Sequence, residues 1–116
     1  MSELIEVLDK EALAQAVSEA TRRIVSVANP QTVLLFGSAV RGEMTPDSDL
    51  DFLVVVSPPV QRRKLAQKIY RNLHGLPVAV DVIVVTSEDI EQYGDKVGTI
   101  LPTARSEGRV VYESTG

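Results

Sequence analysis

The stretch Leu50-Asp51-Phe52-Leu53-Val54-Val55-Val56 is apolar at every position but one and stops at Ser57-Pro58-Pro59. A short run without polar alternation reads as a strand buried on both faces, and the prolines prevent it from continuing. Such a strand belongs in the middle of a sheet and needs helices to cover it. Residues 78–85 form a second run of this kind, with Asp81 as its only charge, and residues 32–36 (Thr-Val-Leu-Leu-Phe) a shorter one.

Helical spacing occupies the segments between them. Residues 9–27 place Leu13, Val17, Ala20, Ile24 and Val27 on one stripe, ending at Ala28-Asn29-Pro30. Residues 60–73 repeat the pattern with Leu65, Ile69 and Leu73, ending at His74-Gly75-Leu76-Pro77. Gly37-Ser38 opens a short helical turn that ends near Gly42, and 43–48 is loop. Thr86-Ser87-Glu88-Asp89 supplies a cap and first-turn acids for another helix. Residues 99–107 predict a last helix and 109–112 a short edge strand. The order gives an α/β (α+β) fold, a single small mixed β-sheet flanked by helices, in one domain spanning 1–116.

Composition narrows the chemistry. The chain has no cysteine and one histidine, His74, so thiolate and His-based metal sites are excluded and any metal must take oxygen ligands, as Mg²⁺ or Mn²⁺ does. A net charge of −4 argues against general nucleic-acid binding by bulk charge. No apolar run approaches the ~20 residues of a membrane span. Glu3, Glu6 and Asp9 make the start unlike a secretory signal, so the chain reads as soluble and cytoplasmic.

The acids inside apolar strands stand out. Asp49 and Asp51 are two apart, so on one strand they share a face. Asp81 sits among Val80, Val82, Ile83 and Val84. A carboxylate there is costly unless its charge is compensated. If the strands of Asp51 and Asp81 are neighbours, three anions converge, and divalent cations are the natural compensation. A structural salt bridge to Arg41 or Arg22 is the competing explanation. Gly37-Ser38 follows a strand and opens a helical turn, where free N–H groups can meet a phosphate. Anion-binding turn and cation-binding acids together suit a triphosphate–metal complex.

Gly37-Ser38, ten intervening residues, then Asp49-Leu50-Asp51 resembles the signature of the DNA polymerase beta superfamily. The stretch Gly37-Ser38-Ala39-Val40-Arg41-Gly42, followed by Ser48-Asp49-Leu50-Asp51-Phe52-Leu53-Val54, is similar to the minimal nucleotidyltransferase family. Asp81 falls where that family places its third carboxylate, and the closing Glu107-Gly108-Arg109-Val110-Val111-Tyr112-Glu113 extends the likeness.

The resemblance implies a Mg²⁺-dependent nucleotidyltransferase that binds ATP or another NTP with two metal ions, Mn²⁺ being able to substitute. Gly37, Ser38, Arg41 and Ser48 would bind the nucleotide. Asp49 and Asp51 would ligate both metals, and Asp81 would ligate the catalytic metal and orient or help deprotonate the acceptor. Many such chains are antitoxins paired with a HEPN-domain ribonuclease toxin, and some transfer AMP to a toxin tyrosine. The competing readings are a non-catalytic antitoxin that blocks its toxin by contact, and transfer to a small molecule or an RNA end. Arg62, Arg63, Lys64, Lys68 and Arg71 form a basic stretch, either a solvated helix face or a docking face for an acidic partner.

Overall fold

The computed structural model describes residues 2–41, 49–93 and 108–114. The elements are α1 (Ser2–Ala28), β1 (Thr32–Phe36), α2 (Ser38–Arg41), β2 (Leu50–Val56), α3 (Arg62–Asn72), β3 (Val80–Thr86), α4 (Ser87–Tyr93) and β4 (Arg109–Glu113). The expected loop at 43–48 and helix at 99–107 lie outside the described residues.

The strands form one mixed sheet in the order β3-β2-β1-β4. β1 runs antiparallel to both β2 and β4, while β2 and β3 are parallel. The α+β expectation therefore holds, with β2 inside the sheet and β4 at its edge. The parallel pair needs a crossover, and α3 provides it.

Boundaries differ from the sequence expectation for local reasons. α1 starts at Ser2 rather than residue 9, since residues 2–8 contain no glycine or proline to break a helix. It ends as expected: Asn29 takes a left-handed conformation (φ 47°) and its N–H donates to the Val25 carbonyl at 3.0 Å. α3 starts at Arg62 rather than residue 60 because Gln61 is still extended. β3 starts at Val80 rather than residue 78, where its pairing with Leu50, the first residue of β2, begins. Thr86 and Asp89 form a reciprocal cap at the start of α4, at 2.9 and 3.1 Å.

Alternate residues of each strand serve opposite faces. Leu50, Phe52, Val54 and Val56 join Val33, Leu35, Val82 and Val84 beneath α1 (Ala16, Val17, Ala20, Ile24) and α3 (Ile69, Leu73). Leu53 and Val55 face the other way with Phe36 and Val85, in a smaller cluster that Ile90 of α4 helps to cover. Each Val, Leu, Ile or Phe shut away in the larger core contributes about 1.5–3 kcal/mol. No helix among the described residues is long and apolar enough to cross a membrane.

Candidate functional site

Three chain segments meet at one end of the sheet: the exit of β1, the entry of β2 and the entry of β3. Phe36, the last residue of β1, pairs with Asp51, and Asp51 pairs in turn with Asp81 across the parallel strands. Register partners on adjacent strands, about 4.8 Å apart, project from the same face. Asp51 and Asp81 thus stand side by side on the face with the smaller core, where the apolar cluster runs out.

Gly37 follows directly. It adopts φ +80°, and a Cβ there would collide with the Asp51 carboxylate. The positive φ favours glycine, and any side chain there would also push the Asp51 carboxylate aside. The Gly37 carbonyl accepts the Val40 N–H at 3.2 Å, which starts the turn of α2. Ser38 is the first residue of α2 and Arg41 its last. Ser48 lies outside the described residues.

The acids differ in their surroundings. Asp51 is half-buried, whereas Asp49 and Asp81 are exposed. Asp49 precedes the first residue of β2 instead of lying within the strand. The expectation that Asp81 is a costly buried anion is therefore corrected: it is the second residue of the outermost described strand and keeps contact with water. Arg22 is not its counter-ion. Arg22 pairs with Glu19 on α1, and Arg22 together with Arg23 holds the Glu19 carboxyl down to about 2.

A residue that sequence reasoning missed is Tyr70 of α3. Its hydroxyl accepts the Val82 N–H at 2.8 Å and donates to Asp81 Oδ1 at 3.1 Å, with the Val82 carbonyl farther off at 3.4 Å. Burial raises the pKa of the phenol, and the Asp81 and Asp49 carboxylates push it the same way, while the Val82 backbone hydrogen bond opposes them. Tyr70 lies beside the apolar stripe of α3, and no spacing rule links position 70 to 81. No signal in the sequence would have found it, because the edge position of β3 shows only in the sheet order.

Among the described residues, no three acids stand close enough to form an assembled cation cluster. The donor set nonetheless fits a hard divalent cation: two carboxylates in register on adjacent strands, a third two residues upstream, and only oxygen ligands. On the basic stretch, Arg62 is engaged with Asp89 of α4 at 2.7 Å, while Lys64, Lys68 and Arg71 are exposed. A polar hollow lined by Asn29, Gln31, Thr32, Ser57 and Glu113 lies at the opposite end of the sheet and shares no residue with the acids.

A glycine turn leaving one strand, with carboxylates entering the next two, is the arrangement of a nucleotidyltransferase fold. The Nucleotidyltransferase domain family matches residues 15–106, and the chain belongs to that family. No curated protein matches the sequence. Solved structures resemble the fold at low identity. One is a toxin–antitoxin crystallised with AMP-PNP, at 20% identity and TM-score 0.54, covering 83% of this chain and 73% of that one. A candidate nucleotidyltransferase from Sulfolobus solfataricus gives 18% identity and TM-score 0.55, covering 88% and 86%. A mutant of the toxin–antitoxin MntA-HpeT gives 19% and 0.53, covering 82% and 72%.

Proposed function

We propose that this nucleotidyltransferase is an antitoxin that transfers AMP from ATP·Mg²⁺ to a tyrosine hydroxyl of a partner HEPN ribonuclease toxin in the cytoplasm. The observation that carries the reading is the juxtaposition of Gly37, Asp51 and Asp81 at one end of the sheet. Membership of the family supports nucleotidyl transfer, and the fold is shared with a toxin–antitoxin crystallised with an ATP analogue.

The roles are those that the family resemblance implies. The Gly37 backbone and Ser38 hold the β- and γ-phosphates, assisted by Arg41 and Ser48. Asp49, Asp51 and Asp81 would hold two Mg²⁺ ions, or Mn²⁺ as a substitute, and these would offset charge on the attacking and leaving oxygens. The acceptor oxygen bonds to the α-phosphorus as the α–β phosphoanhydride bond breaks. Pyrophosphate leaves, and the hydroxyl proton passes toward Asp81. The whole chain, 1–116, acts as one domain that supplies the nucleotide side of this reaction, and the partner supplies the acceptor. The exposed Lys64, Lys68 and Arg71 offer an acidic partner a docking face.

The test incubates the purified chain and its co-purifying partner with each labelled NTP and reads intact mass. A gain of one or more AMP units on the partner is expected, abolished by Asp49→Ala. Protection that survives Asp49→Ala with no mass gain would instead make the chain a contact antitoxin. Rapid AMP transfer to a free small molecule by the isolated chain would overturn the partner assignment.

A further inference from the structure

We propose that Tyr70 is a positioning residue: it ties Asp81 to the edge of β3 and so sets the orientation in which that carboxylate meets a divalent cation or an acceptor hydroxyl. The inference rests on the reading of Asp81 given above.

β3 is the outermost described strand beside β2, and its residues alternate in the direction of their backbone groups. The Ala79 carbonyl faces β2, where it accepts the Leu50 N–H at 2.9 Å. Three residues on, by the same alternation, the N–H and C=O of Val82 face away from β2. They would be open edge groups. The Tyr70 hydroxyl occupies that edge and accepts the Val82 N–H at 2.8 Å. Its oxygen is therefore fixed by the backbone of the residue that follows Asp81.

A hydroxyl has one proton to donate. With the oxygen anchored on Val82, the shorter donation is to Asp81 Oδ1 at 3.1 Å, against 3.4 Å to the Val82 carbonyl. One lone pair of Oδ1 is thereby taken, which makes Oδ2 the less encumbered oxygen for a cation or acceptor. Asp81 is exposed and its rotamer has little packing to hold it, so this bond is what orients it. Carboxylates that ligate metals are commonly held by such outer hydrogen bonds, and losing one costs about 10–100-fold in metal affinity or activity.

The experiment measures Mn²⁺ binding by electron paramagnetic resonance, with a non-hydrolysable ATP analogue present, for the wild type, Tyr70→Phe, Asp81→Asn and the double variant. Tyr70→Phe should weaken Mn²⁺ binding by about 10–100-fold. The double variant should bind no more weakly than Asp81→Asn alone, since Tyr70 acts only through that carboxylate. Metal-free analogue affinity should not change. Wild-type Mn²⁺ affinity in Tyr70→Phe, or losses that simply add in the double variant, would overturn the positioning role. A wild type that fails to bind Mn²⁺ at all would instead remove the reading of Asp81, and this inference with it. If Tyr70→Phe does not fold, replacing Tyr70 by O-methyltyrosine keeps an acceptor for the Val82 N–H and removes only the donor. The same weakening is expected there, and unchanged affinity again overturns the proposal.

Discussion

On one face of β2, Leu50, Phe52, Val54 and Val56 are shut between the sheet and helices α1 and α3; on the other, Asp51 precedes Leu53 and Val55 under a smaller cover from α4. The two faces are interleaved residue by residue along seven positions. One face supplies the stability of the sheet, and the other ends in the acids. A slip of one residue in the register of β2 would exchange them, placing Asp51 in the core and Phe52 in the site. The strand can carry an anion at its second position because the packing that fixes its register is supplied by the neighbours of that anion.

Phe52→Ala and Asp51→Asn divide this comparison most sharply. Phe52 is fully buried, and its truncation should cost about 3–5 kcal/mol, visible as a lower denaturant midpoint. Asp51→Asn should lower AMP transfer by about 10²–10³-fold, the effect of removing one electrostatic group from a reacting centre. Its melting temperature should stay near that of the wild type. Unfolding of Asp51→Asn would make Asp51 part of a structural ion pair and end the division of labour between the faces.

Gly37→Ala tests the join between β1 and the acids. The positive φ and the Asp51 carboxylate both oppose a side chain there, so a loss of about 1–3 kcal/mol is expected together with weakened ATP binding. An alanine variant of wild-type stability and ATP affinity would show that the turn can relax away from Asp51. Ser38→Ala is the finer probe. Triphosphate binding should weaken by about 1.5–3 kcal/mol, as for a hydrogen bond to a charged group, and AMP binding much less. Equal losses for ATP and AMP, measured by calorimetry, would place Ser38 away from the β- and γ-phosphates.

The fold was legible because its strands are short, apolar and bounded by prolines and glycines. Residues 50–56 and 32–36 announced themselves by composition alone, and so did the Thr86 cap. The neighbouring positions of Asp51 and Asp81 were a conditional inference that the parallel register satisfies. The exposure of Asp81 was not legible, since an apolar run gives no sign that its strand lies at a sheet edge. Tyr70 was invisible for a related reason: its partners, Asp81 and Val82, are met across a helix–strand crossing whose geometry no local pattern encodes.

The smallest effect is expected where charge decorates the packed face from outside. Glu19 on α1 bonds to both Arg22 and Arg23, and Arg23 also donates to the carbonyls of Asn72 and His74 at 3.3 and 3.1 Å, linking α1 to the end of α3. The bonds from Arg22 first and Arg23 second lower the Glu19 carboxyl from its ordinary 4.5 to about 2. A depressed carboxyl contributes stability that is fully present above 4.5 and is lost as pH falls through about 2. The group is exposed and salt screens such pairs, so the contribution is small beside that of the core. In low salt, wild type should therefore melt slightly above Glu19→Gln at neutral pH. The gap should narrow below pH 4.5, close near pH 2 and disappear at about 1 M salt, where the Debye length falls to about 3 Å. A gap that widens on acidification, or that survives high salt, would mean that Glu19 stabilises the fold by something other than its charge, such as the position in which it holds Arg23 against the Asn72 and His74 carbonyls.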